Sequence, residues 1–121
     1  MNWAEYFEED VRRVKSLQKQ IDQRKVLART TVNELAQILA QHFDVSKVIL
    51  TGSLLTDRFS MDSDIDLAVE GLRPDWYFKA LSAMTHPDHP FSIDLIDLDQ
   101  DNAYTRKLAG EGEVLYERRK G

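Results

Sequence analysis

The sequence predicts an α/β protein in which short buried strands alternate with helices. Residues 1–43 contain no glycine or proline, and their apolar residues recur every three or four positions, as in amphipathic helices. Three later segments of strand length, at 45–50, 64–69 and 91–98, are rich in apolar residues and are separated by turn signals or helical patterns. A chain of 121 residues with 42% hydrophobic residues is expected to form a single domain with a modest core.

The composition argues against several classes of protein. With 31% charged residues and no apolar run of membrane-spanning length, we expect a soluble chain that does not enter a membrane. The N-terminus is acidic and amphipathic and does not resemble a signal peptide. The absence of cysteine excludes disulfides and thiolate chemistry and fits a cytoplasmic location. The net charge of −5 disfavours direct binding to nucleic acid, because phosphate neutralisation supplies most non-specific affinity.

The N-terminal region, residues 1–43, is predicted to be helical and to precede a core at 44–121. Its apolar stripe shifts phase near 22–29, so two interpretations are open: two helices, or one long helix whose buried face changes partner there. The basic residues of the first part favour a solvated polar face over docking to a protein or to RNA. The first apolar stripe consists of Trp3, Phe7, Val11, Val14, Leu17 and Ile21.

Two aspartates occupy alternate positions at the start of the second predicted strand. Asp64 and Asp66 share one face, whereas Ile65 and Leu67 point to the other, because side chains alternate along a strand. Two carboxylates held so close repel each other unless a cation lies between them. Magnesium is the usual solution, since it is bound by one or two carboxylates together with substrate phosphates. The alternative, a solvated strand edge, is disfavoured by the apolar residues around the pair.

A Gly-Ser pair, Gly52 and Ser53, ends the first predicted strand. Glycine allows an anion to approach the backbone closely, and a short helix at 54–56 would direct free N–H groups at a phosphate. Ser53 can add a hydroxyl contact. Such a turn is a weak signal by itself, and its value comes from its fixed distance to the two aspartates.

The third predicted strand, at 91–98, contains a further acidic residue in an apolar setting. Asp94 lies between Ile93 and Leu95, and an aspartate there is unfavourable unless it is paired or bound to a metal. Asp94 is therefore the candidate third carboxylate, whereas Asp97 lies on the opposite face. A helix starting at 73–75 and ending near 86 precedes this strand, a last helix at 99–108 capped by Asp99 or Asp101 follows it, and 114–116 forms a final strand or tail.

The Gly52-Ser53 pair, ten intervening residues and Asp64-Ile65-Asp66 together resemble the signature of the polymerase-β-type nucleotidyltransferase superfamily. The compact size and the SDIDLAV segment at 63–69 are similar to its minimal nucleotidyltransferase branch, the MntA type. The resemblance covers residues 44–116 and includes the GEVLYE ending. It implies a small mixed sheet with helices mainly on one side, plus an N-terminal helical extension.

The resemblance also implies a nucleotide site. Gly52 and Ser53 would hold the triphosphate of ATP, with Arg58 as a basic contact to phosphate. Asp57 stands where many family members have a glycine, and its charge would weaken triphosphate binding through repulsion.

The resemblance further implies that Asp64, Asp66 and Asp94 bind two magnesium ions and that Asp94 also helps to activate the attacking hydroxyl. Two metals neutralise charge on the entering and leaving oxygens of an in-line transfer. The protein then contributes mainly position, and no protein nucleophile is required.

The function implied is an adenylyltransferase that transfers AMP from ATP to a hydroxyl of a partner protein. The family's usual partner is a HEPN-type helical toxin, with the nucleotidyltransferase as antitoxin and a toxin tyrosine as acceptor. The chain has no room for an acceptor-binding domain, which also points to another polypeptide, and the N-terminal helix offers a docking surface. Two alternatives stay open: a weakly active or inactive antitoxin that occludes its partner, and a nucleotidyltransferase acting on RNA or on a small molecule such as an aminoglycoside.

Overall fold

The computed structural model describes residues 2–119, which form one four-stranded sheet and three α-helices. This confirms the predicted α/β class. In chain order the elements are α1 (Trp3–His42), β1 (Lys47–Thr51), β2 (Ile65–Glu70), α2 (Tyr77–Thr85), β3 (Ile93–Asp97), α3 (Ala103–Glu111) and β4 (Glu113–Glu117). Two short 3-10 turns, Ser53–Leu55 and Pro74–Trp76, follow β1 and precede α2.

The N-terminal region is one continuous helix of 40 residues, so of the two interpretations of its pattern the single long helix is correct. The Asn2 side chain accepts a hydrogen bond from the backbone N–H of Ala4 at 3.0 Å and caps the first turn. The backbone N–H of Phe43 closes the last turn on the carbonyl of Leu39 at 3.1 Å. Within residues 2–119 no helix, α1 included, has the combination of length and hydropathy that a membrane span needs.

The two parts of α1 differ in their surroundings. The packed half, residues 28–39, lies on the sheet and buries Ala28, Val32 and Leu35 completely. The projecting half, residues 3–21, is exposed at nearly every position, and its Phe7 side chain is 59% exposed. The phase shift in the apolar stripe therefore marks the place where α1 leaves the sheet.

The sheet is mixed, as predicted, and its strand order is β3-β2-β1-β4. Strand β1 is antiparallel to β2 and β4, whereas β2 and β3 are parallel and are joined by the crossover helix α2. The sequence predicts a strand or a tail at 114–116, and the structure forms strand β4 there. A register shift between Val48 and Ile49 marks an irregularity in its pairing with β1.

The hydrophobic core lies on one face of the sheet, between the strands and the helices α1 and α2. Alternate strand residues such as Leu50 and Leu67 point into it and are fully buried with α1 residues. The opposite face carries Ile49, which lies against Gly112 at the end of α3. Helices thus pack mainly on one side, which confirms that expectation.

The start of α3 corrects the predicted capping residue. The N-cap is Asn102, not Asp99 or Asp101. The Asn102 side chain accepts a hydrogen bond from the Thr105 N–H at 2.9 Å, and the Thr105 hydroxyl accepts one from the Asn102 N–H at 3.1 Å. This reciprocal capping box satisfies two donors of the first turn. The Asp99 carboxylate instead accepts from the backbone N–H of Gly71 at 3.0 Å.

Candidate active site

The structure places two of the three predicted carboxylates, Asp66 and Asp94, side by side on one face of the sheet, and the third, Asp64, is close enough to affect the charge of Asp66. Strands β2 and β3 are parallel and in register, so Asp66 lies directly beside Asp94 and on the same face. Asp64 lies just before β2 rather than inside the predicted strand 64–69, since β2 begins at Ile65. Asp66 is half-buried, whereas Asp64 and Asp94 are exposed.

The electrostatics of Asp66 reflect this arrangement. Burial raises the pKa of the Asp66 carboxyl, and the negative charges of Asp94 and then Asp64 raise that pKa further. The ionised form of Asp66 is therefore disfavoured in the absence of a cation. A positive charge placed among the three carboxylates would relieve this repulsion.

Carboxylate oxygens are the ligands that magnesium prefers, so the donor chemistry of this cluster fits that ion. Within residues 2–119, however, no three His, Cys, Asp or Glu side chains are arranged closely enough to enclose a metal by themselves. Magnesium typically keeps waters and takes substrate phosphates as ligands. The open cluster is thus suited to an ion that arrives with a nucleotide, and the metal-binding roles of Asp64, Asp66 and Asp94 remain predictions.

Gly52 occupies a position that only glycine can fill. Its φ of +81° and ψ of −157° lie in a region that is essentially restricted to glycine. A Cβ atom at this position would overlap the Oδ2 atom of Asp66. The backbone of the Gly-Ser turn therefore packs directly against the central carboxylate, which connects the predicted phosphate site to the predicted metal site.

Ser53 begins the 3-10 turn that follows β1, in place of the short helix expected at 54–56. The turn is closed by hydrogen bonds from the Leu55 N–H to the Gly52 carbonyl at 3.2 Å and from the Thr56 N–H to the Ser53 carbonyl at 2.9 Å. These bonds fix the path of the chain as it leaves β1.

A groove of about 590 Å³ extends from the Gly-Ser turn toward α3. Gly52, Ser53 and Arg58 line one side of it, while Tyr104 and Lys107 of α3 line the other. The predicted phosphate-binding residues therefore share one groove. Asp57 is exposed and is not among the described residues that line it.

Lys107 is a basic residue of the groove that the sequence did not single out. It lies in the same helix as Tyr104, three positions later, and such a spacing places both side chains on one helix face. That periodicity was the available signal. It could not be connected to the Gly-Ser turn from sequence, because α3 follows β1 by about fifty residues and only the fold places them together.

The segment before Asp64 is closed by a group of hydrogen bonds between two serines. The Ser60 N–H donates to the Ser63 hydroxyl at 2.9 Å, and the Ser63 N–H donates to the Ser60 carbonyl at 3.3 Å. The Ile65 N–H then donates to the Ser92 carbonyl at 3.0 Å and joins the entrance of β2 to that of β3. We call residues 59–63 the entry loop, because they lead into Asp64.

A family model described as polymerase beta, nucleotidyltransferase, matches residues 33–121. The matched region contains all four strands, the Gly-Ser turn and the three aspartates. The chain belongs to the polymerase β nucleotidyltransferase family. This membership confirms the superfamily predicted from the sequence and supports transfer of a nucleotidyl group as the general activity of the nucleotidyltransferase. No curated protein matched the chain.

Proposed function

We propose that this nucleotidyltransferase transfers AMP from ATP to a hydroxyl group of a partner protein and that it is the antitoxin of a HEPN-type helical toxin. The observation that carries the catalytic part of the proposal is the Asp66–Asp94 pair, in register on parallel strands, with the backbone of Gly52 against Asp66. Family membership supports nucleotidyl transfer. The identity of the acceptor rests on the projecting half of α1.

The triphosphate would lie along the groove beside the Gly-Ser turn. Ser53 supplies a hydroxyl there, and Arg58 and Lys107 supply positive charge on two sides. Asp64, Asp66 and Asp94 would hold magnesium. When bound, magnesium would neutralise charge on the triphosphate and on the attacking oxygen. The close approach of the Gly52 backbone to Asp66 would place the α-phosphate beside the central carboxylate.

The strand order places the proposed phosphate site and the candidate base Asp94 at different positions across the sheet. The Gly-Ser turn follows β1, Asp66 is on the neighbouring β2, and Asp94 is on β3 at the edge of the sheet. The exposed Asp94 therefore faces the side from which a large acceptor can approach. The acceptor oxygen would bond to the α-phosphorus as pyrophosphate leaves on the side of the groove, and Asp94 would help to remove the hydroxyl proton.

The projecting half of α1 supports a protein as the acceptor. It lies outside the region matched by the family model, which begins at residue 33. Its exposed apolar stripe includes Trp3, Phe7 and Val14, and a continuous stripe of this kind is typical of helix-in-groove recognition. Its charges are divided along the axis, with four acidic residues at positions 5–10 and four basic residues at positions 12–19. A helical partner with an apolar groove and the opposite charge order would fit this surface.

The test is to incubate the protein with magnesium, ATP labelled on the α-phosphate, and a partner protein that co-purifies with it or is encoded by a neighbouring gene. We expect the label and a mass increase of one or more AMP units on the partner, and no transfer of label from ATP labelled on the γ-phosphate. The variant Asp64→Asn/Asp66→Asn should reduce transfer by at least about 10³-fold, since the carboxylates that hold the metal are lost. Asp97→Asn, which removes a carboxylate on the opposite face of β3, is the matched control.

The same experiment separates the proposal from occlusion. If the partner is neutralised equally well by the wild-type protein and by the double variant, and carries no AMP, transfer is not the mechanism and binding alone explains neutralisation. If AMP appears on RNA or on an aminoglycoside in preference to the partner, the assignment of a protein acceptor is wrong.

A further inference from the structure

Arg24 of α1 reaches the entry loop and makes an unusual set of contacts there. One terminal nitrogen of its guanidinium donates a hydrogen bond to the backbone carbonyl of Ser63 at 2.9 Å. Its Nε atom is buried and has no hydrogen-bond partner among residues 2–119. A buried donor without a partner is unfavourable, so the position of this guanidinium requires other interactions to stabilise it.

Two aromatic rings provide such interactions. The guanidinium carbon lies 4.5 Å from the centre of the Phe91 ring and 5.8 Å from that of the Phe59 ring. Phe59 and Phe91 are only 2% and 5% exposed. A planar guanidinium stacks on aromatic rings while its nitrogens still donate hydrogen bonds in a fixed geometry, which the ammonium group of lysine cannot reproduce.

The three contacts belong to two different segments of the chain. Phe59 begins the entry loop, Ser63 ends it, and Phe91 lies just before β3. One side chain of α1 therefore joins the entry loop to the base of the strand that carries Asp94. The pairing of β2 begins at Ile65, so the sheet holds Asp64 on its C-terminal side and the entry loop holds it on its N-terminal side.

We propose that Arg24 is a positioning residue of the active site: by holding the Ser63 carbonyl, it fixes Asp64 relative to Asp66 and Asp94. Arg24 does not line the phosphate groove, whose lining residues lie within 51–58 and 104–112. Its role is indirect and acts through the peptide bond that leads from Ser63 into Asp64. This inference rests on the proposed function, because it gives Asp64 the role of a metal ligand.

The experiment compares the full-length wild-type protein with Arg24→Lys and Arg24→Met. In the metal-free protein, amide hydrogen exchange over residues 60–65 should accelerate at least about tenfold in both variants, since a hydrogen bond from a charged donor is lost. With Mn²⁺ alone as the probe, followed by its electron paramagnetic resonance signal, the half-saturating concentration should rise by about 10-fold to 100-fold, as for other residues that orient metal ligands. The KM for ATP at saturating metal should change little.

Arg29→Gln is the matched control. Arg29 also projects from α1 to the sheet, where it pairs with Glu113 at the beginning of β4, and it has no contact with the entry loop. Arg29→Gln should leave exchange at 60–65 and Mn²⁺ half-saturation within about twofold of the wild type. If Arg24→Met does not fold, Phe91→Leu removes the principal aromatic contact and should give the same two changes.

Failure of the inference differs from failure of the proposed function. If folded Arg24 variants keep wild-type exchange at 60–65 and wild-type Mn²⁺ half-saturation, Arg24 does not position Asp64, whatever the acceptor is. If the wild-type protein transfers no AMP, while the Arg24 variants show both changes, the proposed function is wrong and the positioning role of Arg24 is retained.

Discussion

The packed and projecting halves of α1 have similar apolar patterns and opposite surroundings. Leu35 in the packed half is fully buried against the sheet, whereas Leu17 in the projecting half is 50% exposed. Both leucines lie in the same helix, and each belongs to an apolar stripe with the same period. Periodicity therefore predicts which face of a helix is apolar, but it contains no information about whether the partner of that face belongs to the same chain.

The largest effect on stability is expected in the packed half. Leu35→Ala should lower the free energy of unfolding by about 2–5 kcal/mol, because it leaves a cavity in a fully packed core. Leu17→Ala should change the same free energy by less than about 0.5 kcal/mol in the isolated protein, since it removes a half-exposed side chain. Urea denaturation of the two variants measures both values. Equal losses would mean that the projecting half packs on its own chain in solution, and the contrast between the halves would disappear.

A smaller effect on stability is expected at Gly52. Gly110 is the comparison, because neighbouring atoms crowd Gly52 but not Gly110. Gly52→Ala should cost about 1–3 kcal/mol, because it strains a positive-φ backbone and places a methyl group against Asp66. Gly110 lies in α3, and a Cβ there has no heavy atom within 4 Å. Gly110→Ala should therefore stabilise the protein by about 0.5–1 kcal/mol through its higher helix propensity. Thermal unfolding of both variants checks the signs, and a neutral Gly52→Ala would contradict the close packing at the site.

The smallest effect concerns the pH dependence of stability in the absence of metal. The pKa of Asp66 is raised in the folded protein by burial and by Asp94 and Asp64, so the folded state binds a proton more tightly than the unfolded state. This carboxyl therefore destabilises the fold above its folded pKa, and the penalty is relieved as pH falls through that pKa. Asp66→Asn should raise the melting temperature at pH 7 and flatten its rise as the pH falls toward the normal pKa of a carboxyl.

Melting temperatures measured with a chelator at pH 4 to 8 test this expectation. Asp97→Asn is the control, because Asp97 lies on the opposite face of β3, where its carboxylate accepts a hydrogen bond from the Asp99 N–H at 2.9 Å. A lower melting temperature for Asp66→Asn than for the wild type at pH 7 would show that a favourable contact of this carboxylate outweighs the repulsion.

Much of the fold follows from local signals in the sequence. The alternation of side chains along β2 and β3 predicts that Asp66 and Asp94 lie on one side and Asp97 on the other, as the structure shows. The predicted capping residue of α3 is wrong, because three residues that favour N-caps occur at 99–102. Only Asn102 has a threonine three positions later, and this threonine completes a capping box.

The parts of the site that the sequence did not reveal depend on contacts between distant segments. Lys107 lies about fifty residues after the Gly-Ser turn whose groove it lines. Arg24 lies about forty residues before the Ser63 carbonyl to which it donates a hydrogen bond. From the sequence alone, Lys107 and Arg24 are each one basic residue among several on a helix. Such residues are usually interpreted as part of a solvent-exposed face. Their roles appear only when strand order and helix packing are known.

Under the proposed function, the continuity of α1 would limit the size of the acceptor protein. At 1.5 Å per residue, roughly 30 Å of helix axis separate Trp3 at the tip from Arg24 beside the entry loop. A continuous helix of this length would set the distance between the surface proposed to bind a partner and the carboxylates. A folded domain of about that diameter can engage both ends at once and present its hydroxyl group at high effective concentration. A short peptide carrying the same hydroxyl group can occupy one end only, so that the helix would select substrates by their dimensions.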